Sequence, residues 1–339
     1  MSKDFESIMR EITRDLTGDL EKDMSFLKQK CQEYKNHEMA TEIARACGRL
    51  MYEMLPDDRK EELDKVFSND VSGTEAAIDE IKFNIYKKDY DKALKMAEDL
   101  VSKIESMNLF QDDKVSEYHL FDELFEEILY RHYNNPTKNL RRAEFPYTEI
   151  YLLYGGLLVE LKRLEDARKA LNKGLRWNPM NFSIMSEYIE TFKLEGNMEK
   201  FFQTTLDAFK IAIHAPQVAR CFRNLGYYFA EMKLYPEAVA TLLLSTRFDK
   251  GSKQVQSELY YISQVAGDIK EPAYEEFKAF SEKYGFPLGA DKDVLGLAYA
   301  YGKNALDEGE KEWGKYFLTI LYELTLDDGV KKMIDSIQT

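Results

Sequence analysis

The sequence predicts an all-α fold, and three observations carry that expectation. Nearly every stretch longer than ten residues spaces its apolar residues at helical intervals, with no convincing alternating strand. Proline is scarce, 8 in 339 residues, while 22 Tyr and 20 Phe supply bulk for packing between long helices. Third, one pattern of small and aromatic residues returns along the chain at intervals of about 34 residues.

Taken in order, residues 1–70 read as an N-terminal region of about four helices. Asp19–Tyr34 and His37–Leu55 form its clearest pair, with Asn36–His37 as the turn between them. Pro56 opens the next helix, where Asp57 and Asp58 suit the positive end of the helix dipole. Asn69–Gly73 reads as a boundary, since Ser72 and Glu75 have capping-box spacing for a new helix. Residues 74–147 read as degenerate repeat sequence. A weak helix pair at 74–107 carries Tyr90 and Ala93, followed by one long helix at Ser116–Tyr133. "NNPTKNLRRAEFP" then reads as an ordered connection without regular structure, in which Arg141 and Arg142 face an acidic neighbouring helix or an acidic partner.

The repeat is clearest over 148–250. "YLLYGGLLVELKRLEDARKALNKGLRWNP" supplies Tyr151, Tyr154, Gly155 and Leu158 on a first helix, Ala167 and Leu171 on a second, then Pro179. Seventy-one residues after Gly155, one interval of 34 and one of 37, come Phe222, Leu225, Gly226 and Phe229, then Ala238 and Leu242. The unit between them replaces the small pair with Ile189 and Phe201. Residues 253–286 and 295–328 read as two further degenerate units, the last with Gly302 and Gly314 as its small pair, and Asp328–Ile337 as a capping helix. The pattern resembles the tetratricopeptide repeat, a pair of antiparallel helices of about 34 residues. The resemblance implies a superhelix of five to six helix pairs over most of 74–339, with 148–339 as its main array. In layout the chain is also similar to a group of uncharacterised bacterial repeat proteins, which brings a fold and no activity.

Gly155 therefore reads as structural: a glycine inside a helix costs about 0.5–1 kcal/mol, and close approach of the facing helix near Ala167 offsets it. Tyr151, Tyr154, Tyr188, Phe192, Phe222 and Phe229 read as packing residues, and Trp177 and Trp313 as wedges between units. Gly156 is not required by the repeat.

A formal net charge of −14 disfavours nucleic acid and anionic lipid as partners. Cys31, Cys47 and Cys221 match no metal pattern, the first residues lack a secretory core, and the longest apolar stretch, Ile150–Val159, is half a bilayer span. A cytoplasmic protein with reduced thiols is expected, without cofactor or metal. No catalytic motif is found, so no enzyme is expected. "HEMAT" at 37–41 has Thr41 where a zinc-protease helix needs histidine. His119 and His132, among Asp122, Glu123, Glu126 and Glu127, lack the di-iron spacing and read as a solvated acidic helix face; His214 stands alone.

The family implies a protein or peptide partner held on the concave face, lined by the first helix of each pair. The positions there are Leu152 and Gly156; Ser186, Glu187 and Glu190; and Arg220, Arg223, Asn224 and Tyr227. In one reading the arginines and Asn224 hold a carboxylate or peptide backbone, Tyr227 stacks and Gly156 leaves room for a bulky side chain. In the other, Arg220 and Arg223 only pair with Glu187 and Glu190. The lysine-rich clamp with which chaperone-binding members hold a peptide C-terminus is absent, because only the 219 unit is cationic. Some bacterial peptide receptors join a helical N-terminal domain to such an array, giving the alternative of a ligand-gated regulator. Residues 1–70 hold 12 Lys and Arg against 17 Asp and Glu, so that region suits docking on a protein rather than on DNA. The loop "YGFPLGADKD" at 284–293 reads as folded back over the last units or, if unpacked, as a docking element with Phe286 and Leu288 exposed.

Overall fold

A computed structural model describes residues 4–107, 109–267 and 270–337, with backbone only for 61–72. It is mostly helical, as expected. The chain divides into two compact units, residues 1–120 with 136–150, and residues 121–135 with 151–339.

The first unit begins with α1 (Phe5–Arg14), α2 (Leu20–Glu33) and α3 (Ala40–Glu53). Asp4 and Asp19 start the first two helices by accepting the backbone N–H of Ser7 and Lys22. Ile8, Ile12, Leu27, Ile43 and Cys47 form their common core. Cys47 shares a thiol hydrogen bond with Cys31, and burial, reinforced by that neighbour, pushes its thiol up to about 12. α4 (Asp57–Tyr86) packs on α5 (Tyr90–Met107). The boundary expected at Asn69–Gly73 is corrected: helical backbone runs straight through it, and the Ser72 side chain lies outside the described residues. Nothing there breaks the helix, since an interior glycine weakens it by only about 1 kcal/mol.

The long helix expected at Ser116–Tyr133 is also corrected. Its first residues form β1 (Ser116–His119), which pairs in parallel with β2 (Asn139–Arg142), in register Ser116 to Asn139 and His119 to Arg142. The connector thus has regular structure. The Asp113 carboxylate turns the chain into β1 by accepting the N–H groups of Val115 and Ser116. Arg141 and Arg142 are exposed on β2, and neither forms an ion pair among the described residues.

In the second unit, α6 (Leu124–Asn134) precedes α7 (Tyr147–Glu160), whose residues up to Ile150 belong to the first unit, and then α8 (Leu164–Trp177), α9 (Phe182–Glu195), α10 (Met198–Phe209), α11 (Ala215–Glu231), α12 (Tyr235–Thr246) and α13 (Lys253–Ala266). From α8 to α13, each helix packs on the next. α13 and α14 (Tyr274–Tyr284) both pack on α12; α15 (Lys292–Asp307) pairs with α16 (Lys311–Thr325), and α17 (Asp328–Asp335) packs on α16.

A fixed register recurs in these pairs. An added Cβ at Gly155 would lie 2.5 Å from Leu171, at Gly226 2.6 Å from Leu242, and at Gly302 2.9 Å from Leu318. In each case the leucine is 16 residues on. Gly155 thus meets Leu171, one turn beyond the Ala167 expected. The intervening pair reverses the sizes, with Ile189 on α9 and Thr205 on α10, both buried. So does α4–α5 in the first unit, with Ile81 and Ala97. Total volume at the seam is kept by exchanging large for small across it.

Of the expected packing residues, Tyr151, Phe192, Phe222 and Phe229 are buried, whereas Tyr154 and Tyr188 are half-buried. Trp177 is half-buried under Arg176, whose guanidinium lies 4.1 Å from its ring. Trp313 is corrected: it is 48 % exposed, and its ring meets that of Tyr316 on the same helix edge-on at 5.9 Å. The 284–293 loop folds back, with Phe286 2 % exposed and its ring 6.1 Å from that of Phe229.

Candidate functional site

The positions expected to line the inner helices divide into three kinds. Gly156 on α7 faces open space, with no atom within 4 Å of where a Cβ would be, and Leu152 one turn before it is half-buried. Ser186 on α9 is buried and unavailable, which corrects its place among the contact residues. Arg223 is largely engaged: its Nη1 donates to the Asp249 carboxylate at 3.1 Å, and burial lowers its pKa against that pairing.

The remaining residues form a connected polar strip from α9 to α11. Arg220 Nη2 lies 3.9 Å from Glu187 Oε1, at the limit of an ion pair. Burial raises the Glu187 pKa, opposed by the Arg220 charge. Glu190 pairs with Lys193 at 3.6 Å, and Lys193 stands 4.5 Å above the ring of Tyr227. Asn224 is half-buried in the same row. Sequence reasoning missed Lys193, although its i,i+3 spacing from Glu190 is a readable signal. The expected pairing of Arg220 and Arg223 with Glu187 and Glu190 is therefore half right. Arg220 leans on Glu187, while Arg223 and Glu190 have other partners.

A second polar cluster sits at the start of α6. Glu126 is buried, and its Oε2 accepts N–H groups from Asp122 and Glu123 and the Asn178 amide at 2.9 Å. Asn181 donates to Asp122 at 2.7 Å. Glu123 receives His214 Nε2 at 2.7 Å on one oxygen and the Tyr316 hydroxyl at 3.0 Å on the other. The hydrogen bond to His214 holds Glu123 below the ordinary carboxylate value and raises His214, whereas desolvation raises Glu126. Phe125 packs edge-on against Phe317, and the Tyr133 hydroxyl reaches Asp291 at 3.5 Å. The solvated acidic face expected here is thus corrected at Glu123, which is half-buried, and Glu126, which is buried, whereas Asp122 stays exposed while accepting from Asn181. The three carboxylates clasp the start of α6 to α16 and to the starts of α9 and α11, while Tyr133 at its other end reaches the start of α15. His214, which carried no inference from sequence, is one of the clasping groups.

Among the described residues no group of side chains is arranged to hold a metal ion, and no helix is long and apolar enough to cross a membrane. The sequence matches no family model and no curated protein.

Proposed function

We propose that this protein is a non-catalytic interaction scaffold of the tetratricopeptide type in the cytoplasm, taking a peptide or partner protein along the inner helices α7, α9 and α11. The observation that carries the reading is the Gly-to-Leu seam repeated at 155/171, 226/242 and 302/318. Similar hairpins stacked in series would expose a continuous face made by their first helices. On that face Gly156 leaves room, Arg220 is held only loosely, and Tyr227 carries Lys193 over its ring. Mixed charge and a flat ring suit an extended peptide bearing at least one carboxylate.

Selection from a random peptide display library tests this. Acidic peptides should be enriched on the wild type and lose about tenfold in affinity on Arg220→Glu, a change of ~1.4 kcal/mol. Failure to enrich any family of peptides, or equal affinity for the variant, would sink the reading.

A further inference from the structure

The first unit contains a cleft of 640 Å3 between one face of α3 and the strand-side segment that holds Phe110 and Tyr118. Three properties distinguish it. Arg45, Gly48, Arg49 and Tyr52 recur at helical spacing, so one face of α3 alternates cation, bare backbone and aromatic ring. Gly48 has no atom within 4 Å of a would-be Cβ, although a glycine there weakens α3. The opposite wall is strained: Phe110 holds φ at +54°, a left-handed conformation unfavourable for a bulky residue, with its ring 5.7 Å from that of Tyr118.

The two arginines differ. Arg45 is a fixed part of the wall, its Nη1 donating to the Gln111 carbonyl and to Asp113. Arg49 has no ion-pair partner among the described residues and stands at the cleft. With Arg45 held by Asp113, and with the Glu53 carboxylate also lining the cleft, Arg49 is the lining cation left to meet a ligand of opposite sign.

We propose that this cleft is a binding site for a small organic anion carrying a flat aromatic ring: the carboxylate pairs with Arg49, and the ring lies over Gly48 between Tyr52 and the Phe110–Tyr118 wall. Its volume is in the range of small-molecule sites, roughly 300–1,000 Å3. The site is independent of the scaffold reading, since it uses no residue of the inner helices.

The probe is 2-naphthoate, followed by saturation-transfer NMR on the full chain, with neutral 2-naphthylmethanol as its uncharged counterpart. Two variants test the two halves of the site, Arg49→Glu for the charge and Gly48→Leu for the space. Both are checked for folding by circular dichroism. The expected result is naphthoate binding that weakens at least about tenfold in each variant, with the alcohol bound several-fold more weakly than the acid. Naphthoate binding that survives in either folded variant, equal binding of the alcohol, or no binding at millimolar naphthoate would each overturn the proposal.

Discussion

The seam inside the helix pairs and the open face of α7 both carry glycine, in opposite surroundings. At the seam, Gly155, Gly226 and Gly302 sit where a side chain would collide with a leucine of the facing helix. On the face, Gly156 touches nothing. The seam glycines return their conformational cost as contact between helices, so the fold explains them. Gly156 returns no such contact within the chain, and the proposed scaffold reading uses it as room for a bound side chain. Neighbouring residues of the same type thus separate what the fold requires from what it leaves over.

The largest effect should come from filling the seam. Gly226→Ile forces a branched side chain into Leu242 and should lower unfolding free energy by about 3 kcal/mol, read by urea denaturation. Adding Leu242→Thr copies the sizes that Ile189 and Thr205 have in the neighbouring pair, and should recover at least about half of that loss. A double variant no better than the single one would show that the exchange of sizes is coincidental.

The clasp on α6 comes next. His214→Ala should lower stability by about 1 kcal/mol, discounted because His214 and Glu123 are each about one-third exposed. Its dependence on pH follows from the two shifts. His214 is raised from 6.5, so its contribution is complete below that value and fades as pH rises through the raised one. Glu123 is lowered from 4.5, so its contribution is complete above that value and fades as pH falls through the lowered one. The difference between wild type and His214→Ala should therefore be greatest between 4.5 and 6.5 and shrink in alkali. A difference that grows above neutrality would contradict the pairing.

The smallest effects should have the opposite sign. Gly156→Ala and Gly296→Ala both place a methyl group in open space on a helix, and each should raise stability by about 0.5–1 kcal/mol. Thermal unfolding of the two variants checks this. Destabilisation by Gly156→Ala would mean that the space is not open.

The parts of the fold legible in the sequence are those whose partners lie close by. α2 and α3 were readable because Asp19 caps one helix and a short turn follows it. The seam was readable in part: the glycines lie 16 positions from their leucines, but the partner read for Gly155 was Ala167, one turn short of Leu171. β1 and α6 were not, because their determinants are distant. β1 has four residues and pairs with a strand more than twenty positions away. The carboxylates of α6 find Asn178, His214 and Tyr316, which no local spacing connects to them. A run of Asp and Glu reads as solvent-facing by default, and only the tertiary partners reverse that expectation. Along α9 and α11 the polar residues were legible, but the engagement of Arg223 by Asp249 and the burial of Ser186 depend on packing that the sequence leaves implicit.

The most direct test of the scaffold reading is the affinity of library-selected peptides for Gly156→Leu, measured by fluorescence anisotropy beside the stability of the same variant. The account predicts a fold at least as stable as the wild type and peptide binding weakened about tenfold or more. Unchanged binding to the stable variant would show that the open space at Gly156 is not part of the binding face.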